Sequence, residues 1–168
     1  GNMVCRNVDP STAHSCAAGS QTGAALSYDN EGRLTSWTAP SGSTDTDQFL
    51  YDTEGNRVLQ RTTTASGTVD TITFDSYTET MISNGTTTTT KYYSADGERV
   101  AMVQGSTWYY LIPDLLGSTS LALNANGTVK AMQLYAPYGS VRYTDGSIPT
   151  TYNFTGQRFD SETGLLYY

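Results

Sequence analysis

One short element recurs along this chain and constrains its fold more than any other feature. It consists of an aromatic residue, an acidic or small polar residue, two variable positions, a glycine and, soon after, an arginine. It reads Tyr28-Asp29-Asn30-Glu31-Gly32-Arg33, then Tyr51-Asp52-Thr53-Glu54-Gly55-Asn56-Arg57, and in degenerate form Tyr93-Ser94-Ala95-Asp96-Gly97-Glu98-Arg99. Its glycines stand 23 and then 42 residues apart. The second interval is close to twice the first, so the unit is about 21 to 23 residues, in the range of repeat architectures. An aspartate opening a type I turn accepts hydrogen bonds from the backbone N–H groups that follow, and glycine three positions on takes the left-handed conformation of a bulged hairpin. Each element is therefore a predicted hairpin tip, with Asp29, Gly32, Asp52, Gly55 and Gly97 as its corner residues.

Behind the tips lie segments of period two, such as Arg57-Val58-Leu59-Gln60-Arg61-Thr62 and Val69-Asp70-Thr71-Ile72-Thr73-Phe74. Alternation of that kind sends one set of side chains to each face of a strand. Asn84-Gly85, followed by Thr86 to Thr90, and Asn126-Gly127, between Leu121-Ala122-Leu123 and Val129-Lys130-Ala131-Met132, are further hairpin signals, which adds Gly127 to the turns. The stretch from Ala39 to Asp47 reads as a loop inserted between neighbouring repeats. No stretch reads as an amphipathic helix.

Composition agrees. Charged residues make up 15% of the chain and only Lys91 and Lys130 are lysines, while 28 threonines, 13 tyrosines and 16 glycines replace the usual helix formers. Threonine and tyrosine suit a pleated, half-exposed surface, and glycine supplies turns. The expected class is all-β: antiparallel hairpin repeats in a spiral or solenoid-like sheet, open at both ends. A net charge of -7 with no basic cluster disfavours nucleic acid and anionic membrane surfaces as partners. The longest apolar runs, such as Tyr109-Tyr110-Leu111-Ile112, fall far short of the roughly 20 residues that span a bilayer, so no membrane insertion is expected.

Gly1-Asn2-Met3 is not a basic stretch leading into an apolar one, as a secretory signal would be, so processing or excision is expected to have made that end. Cys5 and Cys16 flank a segment with Pro10 and small polar residues. A disulfide between them is expected, stabilising by roughly 2 to 3 kcal/mol in the chain-entropy picture. It would place the chain in an oxidising compartment, extracellular or at a cell surface.

These repeats and the last third of the chain resemble the RHS/YD-repeat family. The specific segments are Tyr109-Tyr110-Leu111-Ile112-Pro113-Asp114-Leu115-Leu116-Gly117-Ser118-Thr119, then Tyr135-Ala136-Pro137-Tyr138-Gly139, then the run from Phe154-Thr155-Gly156-Gln157-Arg158 to Leu165-Leu166-Tyr167-Tyr168. The likeness covers roughly residues 27–168. It divides the chain into an N-terminal segment over 1–26, with the tail of a preceding repeat and the disulfide loop, YD repeats over 27–104, and the start of an RHS-associated core over 105–168. Two positions depart from the family pattern: Leu115 stands where histidine is common, and Ser120 where an arginine is expected. The family's usual continuation past Tyr168, where an autoproteolytic aspartate can sit, is not in this sequence. The resemblance implies strands spiralling into a hollow shell, in large surface or secreted proteins that enclose a toxin, anchor to cell walls or join cells.

Residues that could carry chemistry have simpler readings. His14 with Cys5 and Cys16 lacks a fourth ligand and the familiar zinc spacings, so no metal site is expected. Ser118 has no histidine partner other than the distant His14, and no nucleophile motif is present. Asp45, Asp47, Asp70 and Asp75 are carboxylates of the type used in glycoside hydrolysis, and each reads more simply as a turn or solvated strand residue. No glycine-rich phosphate loop and no EF-hand occur, so no cofactor is expected. Asn84, Asn126 and Asn153 stand in Asn-x-Thr sequons and are candidate glycosylation sites, with plain turn chemistry as the simpler reading. The many tyrosines invite a sugar-binding platform but are more simply cross-strand packing.

The expected function is that of a non-catalytic extracellular structural or assembly segment, part of a β shell or of a head-to-tail surface filament. Its partners would be identical subunits or the remainder of a longer RHS polypeptide, since unpaired strand edges are templates for another chain. The alternatives are a fragment of a toxin-enclosing shell and a module binding cell-surface glycan.

Overall fold

A computed structural model describes residues 2–6 and 23–168. Its strands are β1 (Cys5–Arg6), β2 (Ala24–Tyr28), β3 (Leu34–Thr38), β4 (Thr46–Tyr51), β5 (Arg57–Thr64), β6 (Gly67–Thr73), β7 (Thr78–Ser83), β8 (Thr86–Ala95), β9 (Glu98–Gln104), β10 (Thr107–Pro113), β11 (Thr119–Asn124), β12 (Val129–Tyr135), β13 (Val141–Gly146), β14 (Arg158–Asp160) and β15 (Leu165–Tyr167). Strands β1 to β13 form an antiparallel sheet whose spatial order is the sequence order, and β14 and β15 pair separately. A single 3-10 turn at Phe154–Gly156 is the only helical element among the described residues, so none of them forms a helix able to cross a membrane. The all-β hairpin fold expected from the recurring tips is the fold observed.

By contacts the chain divides into two units, Gly1–Phe74 with Thr80–Thr87, and Asp75–Glu79 with Thr88–Tyr168. In the first unit, cross-strand neighbours Leu26, Trp37, Asp47, Thr62 and Val69 run in a row over β2 to β6. Leu26, Trp37 and, one row along, Phe49 are buried in it. Asp47 lies in this row with no exposed surface, its carboxylate accepting from the Thr62 hydroxyl and from Gln60 Nε2. That corrects two expectations: the loop after Ala39 ends before Thr46, and Asp47 is neither a loop residue nor a solvated one. Buried carboxylates persist where hydrogen-bond donors meet them, as here.

In the second unit the core is Tyr92, Met102, Leu111 and Ala122, with Tyr109, Ile148 and Tyr152 packed against it. Tyr92, Met102 and Tyr109 are cross-strand partners, as are Leu111, Ala122 and Ala131. After β13 the chain does not add a further strand to the sheet. Residues 147–168 instead fold back onto the face that holds this core, where Thr119 N donates to the Asn153 carbonyl at 3.2 Å and Thr155 N donates to Ser118 Oγ at 3.1 Å. That strap makes the second unit two layers deep, the arrangement that buries an otherwise wet sheet face.

Candidate functional site

The corners share one backbone design. At Asp29 the N–H donates to the Arg33 carbonyl at 3.0 Å, and the Gly32 N–H donates back to the Asp29 carbonyl at 3.0 Å. The same two bonds close the corners at Asp52, Asp114, Asn124, Ala136 and Asn153, each with glycine three residues on. The register of the flanking strands slips beside five of them, at Tyr28, Tyr51, Pro113, Leu123 and Tyr135. In these five this is a type I turn closed by a glycine bulge, whereas at Asn153 the third residue, Thr155, has a φ of 53°.

Where aspartate opens the corner, its side chain caps it. Asp29 Oδ1 accepts from the N–H groups of Glu31 and Arg33 at 3.1 and 2.8 Å, and Asp114 Oδ1 accepts from those of Leu116 and Ser118 at 2.8 and 2.9 Å. Partial burial of Asp29 works against its ionisation, but backbone and side-chain hydrogen bonds from Arg33, and its charge, outweigh that and hold the carboxyl below the usual range. The side-chain and backbone bonds from Asn56 do the same for Asp52.

A second contact ties one corner to the corner before it. Tyr51 Oη donates to the Leu34 carbonyl at 2.7 Å, and Tyr28 Oη donates to the Met3 carbonyl at 2.7 Å. Both acceptors stand two residues past a glycine, Gly32 and Gly1. Tyr135 repeats the contact by donating to the carbonyl of Thr119, two residues past Gly117, at 3.1 Å. Residues one past the glycine reach the other way: Arg33 Nη1 donates to the Asp52 carbonyl and Asn2 Nδ2 to the Gly32 carbonyl, each at 3.4 Å. The tyrosine and arginine of the repeat are thus rungs between successive corners, and Asn2-Met3 stands in the bonding position of a preceding repeat.

The strap of the second unit is held by a buried node. Arg158 Nη2 meets Glu79 Oε2 at 2.6 Å and Tyr152 Oη at 3.0 Å. Tyr92 Oη donates to Glu79 Oε1 at 2.9 Å and lies 3.1 Å from Thr150 Oγ1. Arg99 stacks on the Tyr152 ring at 3.5 Å and donates from Nη1 to the Gly156 carbonyl at 3.0 Å. Burial pushes the Tyr92 hydroxyl well above its ordinary value, and the Glu79 charge adds to it. Phe154 packs on Tyr135 and occupies the space a side chain on Gly139 would need, 2.8 Å from that missing Cβ. Beside the strap lies a cavity of about 180 Å³ walled by Glu98, Arg99, Pro113, Leu116, Tyr152 and Gln157.

The residues singled out in the sequence fall as follows. Asp29, Gly32, Asp52 and Gly55 form the expected corners. Gly97 belongs instead to a two-residue tip with Asp96, both with positive φ, 83° and 52°. Gly127 closes a corner that opens at Asn124, two residues before the expected tip. Asn84 and Asn126 are exposed at tips, and Asn126 Oδ1 accepts from the N–H and hydroxyl of its own sequon's Thr128. Asn153 is half-buried and its Oδ1 lies 3.1 Å from Tyr135 Oη. Ser118 is fully buried as the acceptor for the strap. Asp70 forms a two-pronged ion pair with Arg61, and Asp75 caps the N–H groups of Tyr77 and Thr78, while Asp45 is half-buried at the end of its loop. Cys5 lies on β1 opposite Ala25. Its expected partner Cys16, and His14, lie outside the described residues.

Among the described residues no group of three or more potential ligands could hold a metal. The corners at Asp114, Ala136 and Asn153 were not recognised in the sequence, although a glycine three positions on marks each. The pairing of Arg158 with Glu79 left no local signal.

The RHS repeat family model matches residues 28–74. Among solved structures, the chain is similar to the crystal structure of TcdB2-TccC3-Cdc42, with a TM-score of 0.75 and 20% identity. It is also similar to that of TcdB2-TccC3, at 0.72 and 20%, and to a Photorhabdus luminescens Tc holotoxin pore carrying a TccC3 mutation, at 0.74 and 19%. Each likeness covers 86% of this chain and 8% of the other, so this chain spans a small part of those polypeptides. At such identity the likeness establishes the fold. No curated protein sequence matches.

Proposed function

We propose that the chain, which matches the RHS repeat family model over residues 28–74, is a non-catalytic wall segment of a larger extracellular β shell, completed by the rest of a longer RHS polypeptide. The observation that carries this reading is the fit of 86% of the chain onto 8% of a much longer one. The corner ladder supports it. Rungs such as Tyr51 to Leu34 repeat from corner to corner, so added repeats extend the sheet without new chemistry, as in other quasi-one-dimensional proteins. The carboxylates once considered for hydrolysis favour structural work, since Asp47, Asp70 and Asp75 are bonded to threonine, arginine and backbone. A wall is preferred over a glycan platform because the exposed rings of Tyr93 and Trp108 stack on one another, 5.0 Å apart and 24° from parallel, and cover each other's faces.

The test is the native polypeptide. Antibodies raised against this segment should capture from the source medium a chain several times longer, which electron microscopy shows as a hollow particle. A free species of this segment's own mass, monodisperse at high concentration, would reject both the shell and the head-to-tail filament.

A further inference from the structure

Asn84 and Asn126 are each followed by glycine, and both stand exposed at tips. Asparagine before glycine is open to one uncatalysed reaction, because glycine has no side chain to hinder attack through its own backbone nitrogen. That nitrogen attacks Cγ of the asparagine, and the new C–N bond closes a five-membered succinimide. The amide nitrogen leaves as ammonia, carrying the proton that the glycine nitrogen gave up. Water then opens the ring at either carbonyl, which leaves aspartate or isoaspartate, the second with the chain running through the side-chain carboxyl. Ring closure needs a glycine nitrogen free to turn and an asparagine side chain free to meet it.

The two sites differ in both requirements. At Asn126 the Gly127 N–H donates to the Asn124 carbonyl at 2.9 Å, one of the bonds that close the corner. Asn126 Oδ1 accepts from the Thr128 N–H at 3.1 Å and from the Thr128 hydroxyl at 2.7 Å. Those donors polarise the amide, but they also tether the side chain to Thr128, and the corner bond holds the attacking nitrogen. Ring closure there breaks native hydrogen bonds before it gains anything, so protection wins over polarisation. At Asn84 neither lock is present: the Gly85 N–H and the Asn84 side chain make no hydrogen bond among the described residues. Asn84 and Gly85 are the two residues of their tip, with φ of 50° and 76°, and a side chain on Gly85 would meet nothing within 4 Å. The one close neighbour is Gly67, where an added Cβ would stand 3.2 Å from Asn84 Oδ1.

We propose that Asn84 is a self-modification site, which deamidates through the succinimide to aspartate and isoaspartate in the folded chain, while the corner at Asn126 shields that residue from the same reaction. The product places a negative charge on the uncharged tip Asn84-Gly85 and removes the asparagine of the Asn84-Gly85-Thr86 sequon. In its isoaspartate form it also lengthens the backbone of a two-residue tip by one atom. The site is independent of the shell reading and stands whether or not the shell does.

Peptide mapping by mass spectrometry tests it, on the full chain incubated at neutral pH in native buffer and in concentrated urea, with isoaspartate separated from aspartate by chromatography. In native buffer Asn84 should convert at least tenfold faster than Asn126 and give isoaspartate as well as aspartate. In urea, where the corner bonds are gone, the two should convert at similar rates. Gly85→Ala should slow Asn84 at least tenfold and leave Asn126 unchanged, and the comparison of the two sites in the parent chain stands even if that variant fails to fold. Asn126 converting as fast as Asn84 in native buffer overturns the proposal, as does an Asn84 that stays intact when folded. A tenfold gap that persists in urea overturns it too, because the corner would then not be the cause, and so does conversion to aspartate alone, which is direct hydrolysis.

Discussion

Tyr135 donates its phenolic hydrogen bond to the Thr119 carbonyl, 3.1 Å away and sixteen residues back in the chain. Tyr51 makes the same bond to Leu34 from the same place beside its corner. The tyrosine of the repeat is therefore conserved in role within this one chain for its hydroxyl as well as its ring, and removing the hydroxyl alone isolates the rung.

Tyr51→Phe is expected to lower stability by about 0.5 to 1.5 kcal/mol, the ordinary net worth of one hydrogen bond. Urea denaturation of the variant against the parent measures it. The rung account is contradicted if Tyr51→Phe is neutral while the ring contact of Arg33 over Tyr51, 5.2 Å from its centre, is kept.

Glu79 and Arg158 form an ion pair whose side chains are only 13% and 7% exposed. Breaking it from one side strands a buried charge, so Arg158→Met should cost about 3 to 5 kcal/mol, and adding Glu79→Leu should recover part of the loss. Hydrogen exchange at the amide of Phe159, which donates to the Thr151 carbonyl, reads whether the strap has loosened.

Stability should fall at both ends of the pH scale, for opposite reasons. Asp29, Asp52 and Asp70 have carboxyls held below their ordinary value, Asp70 chiefly by the hydrogen bonds from Arg61. Their contribution is present above an unfolded value of about 3.9 and is lost as pH drops through the lower folded values. Burial pushes Tyr135 up to about 12, so its contribution is whole below an unfolded value of about 10 and is lost as pH rises through 12. Urea midpoints across pH should show a shallower acid limb for Asp52→Asn and a shallower alkaline limb for Tyr135→Phe.

Gly146 and Gly85 both have positive φ, 71° and 76°, yet differ in surroundings. A Cβ on Gly146 would sit 2.6 Å from the Lys130 carbonyl oxygen, whereas one on Gly85 would meet nothing within 4 Å. Gly85→Ala should cost roughly 1 to 2 kcal/mol from backbone strain alone. Gly146→Ala should cost about 1 to 3 kcal/mol more, because a backbone atom must move. Thermal unfolding of the two variants compares them directly.

The corners at Asp29 and Asp52 were legible because each residue acts on atoms within four positions of itself. Gly127 was recognised as a turn but its corner was placed two residues late. Asn-Gly reads as a two-residue tip, which is what Asn84-Gly85 forms, whereas Asn126 sits third in a corner opened by Asn124. The strap was not legible. Residues 147–168 have the same alternating, turn-rich character as the strands before them, and what sends them across the sheet face is a set of contacts such as Arg158 with Glu79, seventy-nine positions apart. Asp47 misled for a related reason, since its burial depends on Thr62 and Gln60 in the neighbouring strand and not on the polar residues beside it.

The central claim is that each strand pairs with the next in sequence, with corners of one design closing five of the turns between them. Cross-strand NOEs in the ¹⁵N,¹³C-labelled chain test it most directly. Leu50 should be seen opposite Leu59, and Leu111 opposite Ala122. Cross-peaks that instead join strands distant in sequence, or chemical shifts showing helix across residues 28–74, would contradict it.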